Sequence, residues 1–282
     1  EIINADSMQV YKRLKVLTAR PNKQEQKNIK HHLYGVVDLN EKFSTGQWLE
    51  LTIKKIKNIQ KKKQIPLIKL VVPNGKEKIK VWMQGGLHGN EKASTESMLY
   101  LLERLLNDKS YADILKNVEL AVVPMANIDG YLKNDRYAAN GLDLNRDQTK
   151  LMAPESVFLK QAFSNFNPDV AVDFHEYRPY RRDFSRMGDF GVTSMYDAMF
   201  LYSGNLNVPQ NLRTLTDTLF VENARQGLNR YGYTHHPYIS TRKVAGDIHI
   251  NQGSISARSS ASNYALTNTI SSLIEIRGVG LG

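Results

Sequence analysis

Two hydrophobic periods alternate along most of the chain. Ile79, Val81, Trp82 and Met83 form an apolar run that stops at Gly85-Gly86. A β-branched and aromatic run ended by glycines predicts a buried strand. Just upstream, KLVV (69–72) is separated from that run by Pro73-Asn74-Gly75. Asn-Gly between apolar runs predicts a hairpin joining the two. Met98, Leu99, Leu101, Leu102, Leu105 and Leu106 then recur at helical spacing, an ordinary core-facing stripe. NVELAVVPMA (117–126) predicts another strand, which leaves its sheet at Asn127–Gly130. PESVFLKQAFSNF (154–166) predicts a helix with Pro154 in its first turn. NPDVAVDFHEY (167–177) follows as a buried strand ending at His175. Residues 191–208 read as loop or weak helix. Leu212, Leu215, Leu219, Phe220, Ala224 and Leu228 predict a helix ending at Gly232. SSLIEIRG (271–278) predicts a last strand. Strands alternating with helices predict an α/β fold with a mixed, mostly parallel central sheet flanked by helices.

Polar residues at the ends of these strands carry the candidate chemistry. His88 and Glu91 lie three residues apart just past a strand end, where both can reach one metal ion from the same side. His175 closes a second strand, and Glu275 sits inside a third. A carboxylate in an apolar strand is costly unless it has a partner or a task. The three stretches are expected to converge on one zinc ion. The chain has no cysteine, so disulfides, thiolate ligands and a Cys nucleophile are excluded, and a zinc site must use His and carboxylates. The loop NDRYAANGLDLNRD (134–147) carries Arg136, Asn145 and Arg146. Its guanidinium groups match a planar carboxylate bidentately, or make surface salt bridges.

No apolar run approaches the roughly 20 residues of a membrane span. No signal peptide is visible, but the first residue is Glu1 and the ends read as truncated. The formal charge of +10 is unevenly placed: residues 1–68 hold a net +8 and residues 69–282 a net +2. The basic segment reads as a nucleic-acid contact or as a solvated Lys-rich helix, and the second reading is favoured.

The first 68 residues resemble the tRNA dimethylallyltransferase family. ADSMQVY (5–11), LTARP (17–21), KHHLYGVVD (30–38) and FSTGQW (43–48) carry the resemblance. In that family the carboxylate matching Asp6 assists prenyl transfer to an adenine amine. No G-x-x-x-x-G-K-[ST] loop occurs in the chain, however, so nothing here would cradle a diphosphate. The segment is read as a short α/β-type fragment without its chemistry, with Asp6 and His31-His32 structural.

Residues from about 69 to 282 resemble the zinc metallocarboxypeptidase family, through HGNE (88–91), RYAANGLDLNRD (136–147) and the Glu275 strand taken together. The resemblance implies that His88, Glu91 and His175 hold one Zn2+ ion. It implies Glu275 as general base and Arg136 as the group that polarises the scissile carbonyl. Asn145 and Arg146 would hold the free C-terminal carboxylate of a peptide substrate; Tyr264, eleven residues before Glu275, is either the family's mobile substrate-binding tyrosine, which usually stands further upstream, or a packing residue. Glu176 is left out of the metal shell, because Pro179 breaks a His-Glu-x-x-His pattern. The loop RPYRRDFSRMGDF (178–190) is a cleft rim or a solvated surface. The pairs His31-His32 and His235-His236, and His249, rank below the assigned ligands. The resemblance favours a secreted or periplasmic setting. Competing readings are a zinc-dependent acylamino-acid deacylase on the same scaffold, an RNA-binding module built on residues 1–68, and an inactive chimera.

Overall fold

The computed structural model describes residues 2–4, 9–14, 20–26, 30–62, 65–72, 77–253 and 255–278; Asp6 and the Pro73-Asn74-Gly75 turn lie outside them. The chain first lays down β1 (Ile2–Asn4), α1 (Lys23–Gln26), β2 (His31–His32) and α2 (Thr45–Lys61). There follow β3 (Leu67–Leu70), β4 (Ile79–Gly85), α3 (Lys92–Asn107), α4 (Ala112–Asn117) and β5 (Val118–Val123). Next come α5 (Ile128–Lys133), α6 (Pro154–Phe166), β6 (Val170–Tyr177) and β7 (Ala198–Tyr202). Helices α7 (Gln210–Leu215) and α8 (Glu222–Arg230) are joined by a π-helical stretch, Thr216–Val221. The last elements are β8 (His235–Pro237), β9 (Ser240–Val244), β10 (Asp247–Asn251), α9 (Ser260–Ala265) and β11 (Ile270–Arg277).

Nine strands make one sheet in the order β2-β1-β3-β5-β4-β6-β11-β7-β8. Its neighbours are parallel except at β3–β5 and β11–β7, so the sheet is mixed and mostly parallel, as the sequence predicts. Strands β9 and β10 form a separate antiparallel pair.

Side chains of β5 alternate across the sheet. Leu120 and Val122 enter a core with Ile3, Trp48, Ile59 and Ile68 from the N-terminal segment and Met98 and Leu102 from α3. Ala121 and Val123 face the other way, toward Trp82, Leu159, Phe163 and Tyr264 under α6 and α9. The sheet is therefore covered on both faces, which is what a largely parallel sheet requires. Among the described residues no helix is long and apolar enough to cross a membrane.

Two sequence expectations fail here. The predicted hairpin of 69–72 with 78–84 does not form, because β5 lies between β3 and β4 and pairs with both. The connection from Leu70 to Ile79 steps over one strand, about 10 Å at the usual inter-strand spacing. Residues 191–208 contain a strand, β7, whose Ala198, Met199, Phe200 and Leu201 are all buried. Five apolar residues with both faces covered show neither helical period nor alternation, which is why the pattern was weak. Strand β3 also spans the boundary near Ile68: Ile68 pairs with Ile3 on one side and Val122 on the other.

Candidate active site

The site forms where β4, β6 and β11 end. At the end of β4 the chain turns at Gly85-Gly86, and Gly86 has φ of +69°, a conformation that favours glycine. A side chain at Gly86 would also meet Thr95 Oγ1 at 2.7 Å. This turn delivers His88, and Glu91 follows immediately before α3. A side chain at Gly89 would lie 2.0 Å from the carbonyl carbon of Gly130, so the His88 loop packs directly on the backbone of α5. His175 projects from β6, and Glu275 is its Cα partner on β11.

His88, Glu91 and His175 form a group whose candidate ligand atoms all lie within 4.8 Å of one another, and all three are buried. Glu91 Oε1 lies 2.6 Å from His88 Nδ1, and Oε2 lies 2.7 Å from His175 Nδ1. The two Nδ1 atoms are 3.0 Å apart. Both outer nitrogens face carboxylates: His88 Nε2 meets Asp143 at 3.1 Å and His175 Nε2 meets Asp173 at 2.9 Å. With each Nε2 able to donate to its outer carboxylate, a bound cation would find both Nδ1 atoms turned towards the same point beside Glu91. Burial opposes charge on His175, yet Asp173 and Glu91 hold its pKa well above the ordinary value. The pocket thus calls for positive charge at its centre. A divalent cation with two imidazoles and one carboxylate meets that demand, and three protein ligands leave one position open.

Further groups hold this cluster in place. Asp143 accepts from the Asn145 backbone N–H at 2.9 Å, and its other oxygen accepts from Arg136 Nε at 3.0 Å. Burial works against the charge on Asp143, but His88, Arg136 and Arg146 hold its carboxyl well below the usual range. Asp173 also accepts from the Ser260 hydroxyl. Asn145 Oδ1 accepts from the Ser260 backbone N–H at 2.8 Å, which leaves its NH2 as the donor end. Arg136 Nη1 stands 3.5 Å from Glu91. Glu176 accepts from the Ala93 backbone N–H at 2.8 Å and so caps α3, consistent with its exclusion from the metal group.

A cleft of about 1040 Å³ opens over the cluster. Arg136, Asn145, Arg146 and Glu275 line it together with His88 and Glu91. Arg178, Tyr180, Arg181, Arg182, Asp183 and Ser185 also line it, so the first half of the 178–190 loop contributes to the cleft. Burial, and then the charge of Glu91, pushes Glu275 up to about 7.

Tyr264 must be corrected. It is fully buried in α9, stacked on Phe163 at 4.1 Å, with its hydroxyl donating to Gln84 Oε1 at 2.8 Å. It belongs to the core and does not line the cleft. The cleft is lined instead by Tyr177, Tyr180 and Tyr238, the last of which accepts from Arg181 Nη1 at 3.3 Å. Among the described residues His31, His32, His235, His236 and His249 join no metal-ligating group. Asp143 and Asp173 were missed in the sequence, although Asp173 stands two residues before His175 on the same strand face, a visible signal.

A family model described as Zinc carboxypeptidase matches residues 49–175, and one described as IPP transferase matches residues 9–69. Carboxypeptidase 2 of Trichophyton rubrum is 33% identical over 206 residues, 72% of this chain and 38% of that protein. The chain therefore spans well under half the length of the curated carboxypeptidases it matches. The tRNA dimethylallyltransferase of Pelagibacter ubique (strain HTCC1062) is 90% identical over 68 residues, 24% of this chain and 22% of that protein. A metallo-carboxypeptidase structure from Burkholderia cenocepacia superposes with a TM-score of 0.58 at 16% identity, over 83% of this chain and 60% of that one. One from Pseudomonas aeruginosa gives 0.58 at 20% identity, over 83% and 60%. These structural likenesses speak to the fold. The body of the chain is thus similar to zinc carboxypeptidases, with the family match over residues 49–175, and it is preceded by a segment similar to tRNA dimethylallyltransferase.

Proposed function

We propose that the chain acts as a zinc-dependent metallocarboxypeptidase, removing residues from the C-terminal end of peptides. The observation that carries this reading is the convergence of His88, Glu91 and His175, with Glu275 in register beside His175. One zinc ion, held by those three residues, would lower the pKa of a coordinated water towards ~7 and polarise the scissile carbonyl. Glu275 faces the same cleft and takes the proton of the attacking water, then passes it to the leaving amine. Arg136 donates to the developing oxyanion; loss of such a donor costs on the order of 100- to 1,000-fold in rate. The NH2 of Asn145 and the exposed guanidinium of Arg146 bind the free carboxylate, which confines cleavage to chain ends. The family resemblance favours a secreted or periplasmic setting.

The test uses the zinc-loaded chain and N-blocked peptides. Hydrolysis that a chelator abolishes, that zinc restores, and that an amidated C-terminus prevents supports the reading. Turnover of N-acyl amino acids in preference to peptides would move the assignment to a deacylase. Undiminished turnover in Glu275→Gln refutes the role given to that carboxylate.

A further inference from the structure

The cleft holds more positive charge than its own carboxylates answer. Arg178, Arg182 and Arg258 line it alongside Arg146, and all four are exposed. Arg146 acts on Asp143, whereas among the described residues Arg178, Arg182 and Arg258 make no ion pair with a carboxylate. Arg146 has a task in the proposed function; the other three do not. The acids nearby are already committed. Asp183 accepts from Arg181 at 3.0 and 2.6 Å and from the Thr241 backbone N–H at 3.0 Å. Glu176 caps α3.

The excess continues outward. A second hollow of about 710 Å³ shares Arg182, Asp183 and Thr241 with the cleft and adds Arg186, Arg242 and Lys243. These three are also exposed and unpaired among the described residues. A generally basic body would explain such a cluster without further meaning. Residues 69–282 are instead nearly neutral, with a net charge of +2. Six unanswered cations around two adjoining hollows are therefore a local concentration. Concave surfaces of one sign focus the field and draw in ligands of the other sign.

We infer that the substrates are acidic peptides, whose Asp and Glu side chains upstream of the scissile bond lie along Arg178, Arg182, Arg186, Arg242 and Lys243. This rests on the carboxypeptidase reading for its direction. The terminal carboxylate ends at Asn145 and Arg146. The second hollow is lined by none of the metal-holding residues, so only residues further up the peptide extend into it. Arg258 adds positive charge to the same cleft.

The experiment compares dansyl-triglutamyl-leucine with dansyl-triglutaminyl-leucine on the zinc-loaded full chain. The glutamyl peptide is expected to show a kcat/KM about tenfold higher at low salt, from about three exposed charge pairs of modest strength. The ratio should shrink towards one at about 0.5 M salt, where the Debye length falls to a few ångströms. In the double variant Arg178→Gln, Arg182→Gln the ratio should also fall towards one. Fluorescence anisotropy of both peptides on the chelator-treated chain provides a second readout, with the glutamyl peptide binding more tightly in wild type only. A wild-type ratio of one, or equal binding of the two peptides, overturns the inference. So does displacement of the glutamyl peptide by oligoadenylate of equal charge at the same or lower concentration, which would point to nucleic acid. Absence of cleavage of both peptides would sink the carboxypeptidase reading, while the anisotropy comparison would still decide the charge preference.

Discussion

Glu275 and His175 occupy one rung of the ladder between the parallel strands β11 and β6. Adjacent parallel strands present paired residues on the same face, so the proposed general base stands beside a proposed metal ligand by register alone. Burial and Glu91 raise Glu275 to about 7, against the opposing influence of His175, His88 and Arg181. A carboxyl whose folded value lies above its unfolded value, ~4.3, stabilises the fold fully below that unfolded value. That contribution is lost as pH rises through about 7. Metal-free wild type should therefore lose at most about 4 kcal/mol from this group across that window. Glu275→Gln loses none of it. Thermal melts in chelator should show the variant gaining on wild type from pH ~4.5 to ~8, and zinc should narrow the gap. A gap independent of pH contradicts the assignment.

Asp143 ties three parts of the site together, through His88 Nε2, Arg136 Nε and the Asn145 backbone N–H. Asp143→Asn keeps the shape but removes the charge that orients an imidazole and a guanidinium. Zinc affinity should fall about 10- to 100-fold, as for other carboxylates behind a ligating histidine. Competition with a chromogenic chelator measures it, and an unchanged affinity would show that His88 needs no orienting group.

Gly89 lies too close to Gly130 to carry any side chain, since an added carbon would meet backbone at 2.0 Å. Neither backbone segment can yield as a flexible side chain would. Gly89→Ala should displace His88 from Glu91 and cost several kcal/mol, in the range of severe overpacking. The expected result is lost zinc binding together with a lowered Tm; a variant that binds zinc normally would show that this loop is softer than its packing implies.

Tyr264→Phe separates a core role from a catalytic one. The variant loses a hydrogen bond to Gln84 Oε1, which still accepts from Trp82 Nε1 at 2.9 Å. The cost should be about 1 kcal/mol, seen as a small drop in Tm. Peptide hydrolysis should be unaffected. A large fall in kcat at normal stability would restore Tyr264 to the cleft.

Much of this arrangement was legible in the chain. Strand ends marked by glycines located His88, and an acid inside an apolar strand singled out Glu275. Their register could not be read, because pairing between β6 and β11 depends on which strands become neighbours. The same limit explains the failed hairpin, where β5 inserts between two runs that adjoin in sequence. Tyr264 misled because a buried aromatic and a cleft aromatic look alike until Phe163 and Gln84 are seen around it. Asp143 was hidden because its role appears only when His88 and Arg136 fold against it.

The N-terminal segment shares a core with the body, and this makes their stability a joint property. Trp48 and Ile59 pack in one cluster with Met98 and Leu102 of α3, and the Trp48 indole N–H donates to Asn4 O at 2.8 Å. β3 carries the sheet from β5 across to β1. Removing residues 1–68 would turn β5 into an exposed edge and uncover the α3 stripe, an aggregation hazard. The full chain should therefore melt in one transition, and Trp48→Ala should lower its Tm through a cost of about 3–5 kcal/mol. The proposed zinc ligands are not part of the Trp48 cluster, yet zinc should raise that same transition, because a ligand of the folded state stabilises every part that unfolds with it. Calorimetry with and without zinc measures this. Two resolved transitions, only one of them moved by zinc, would instead mark the two parts as separately folding units.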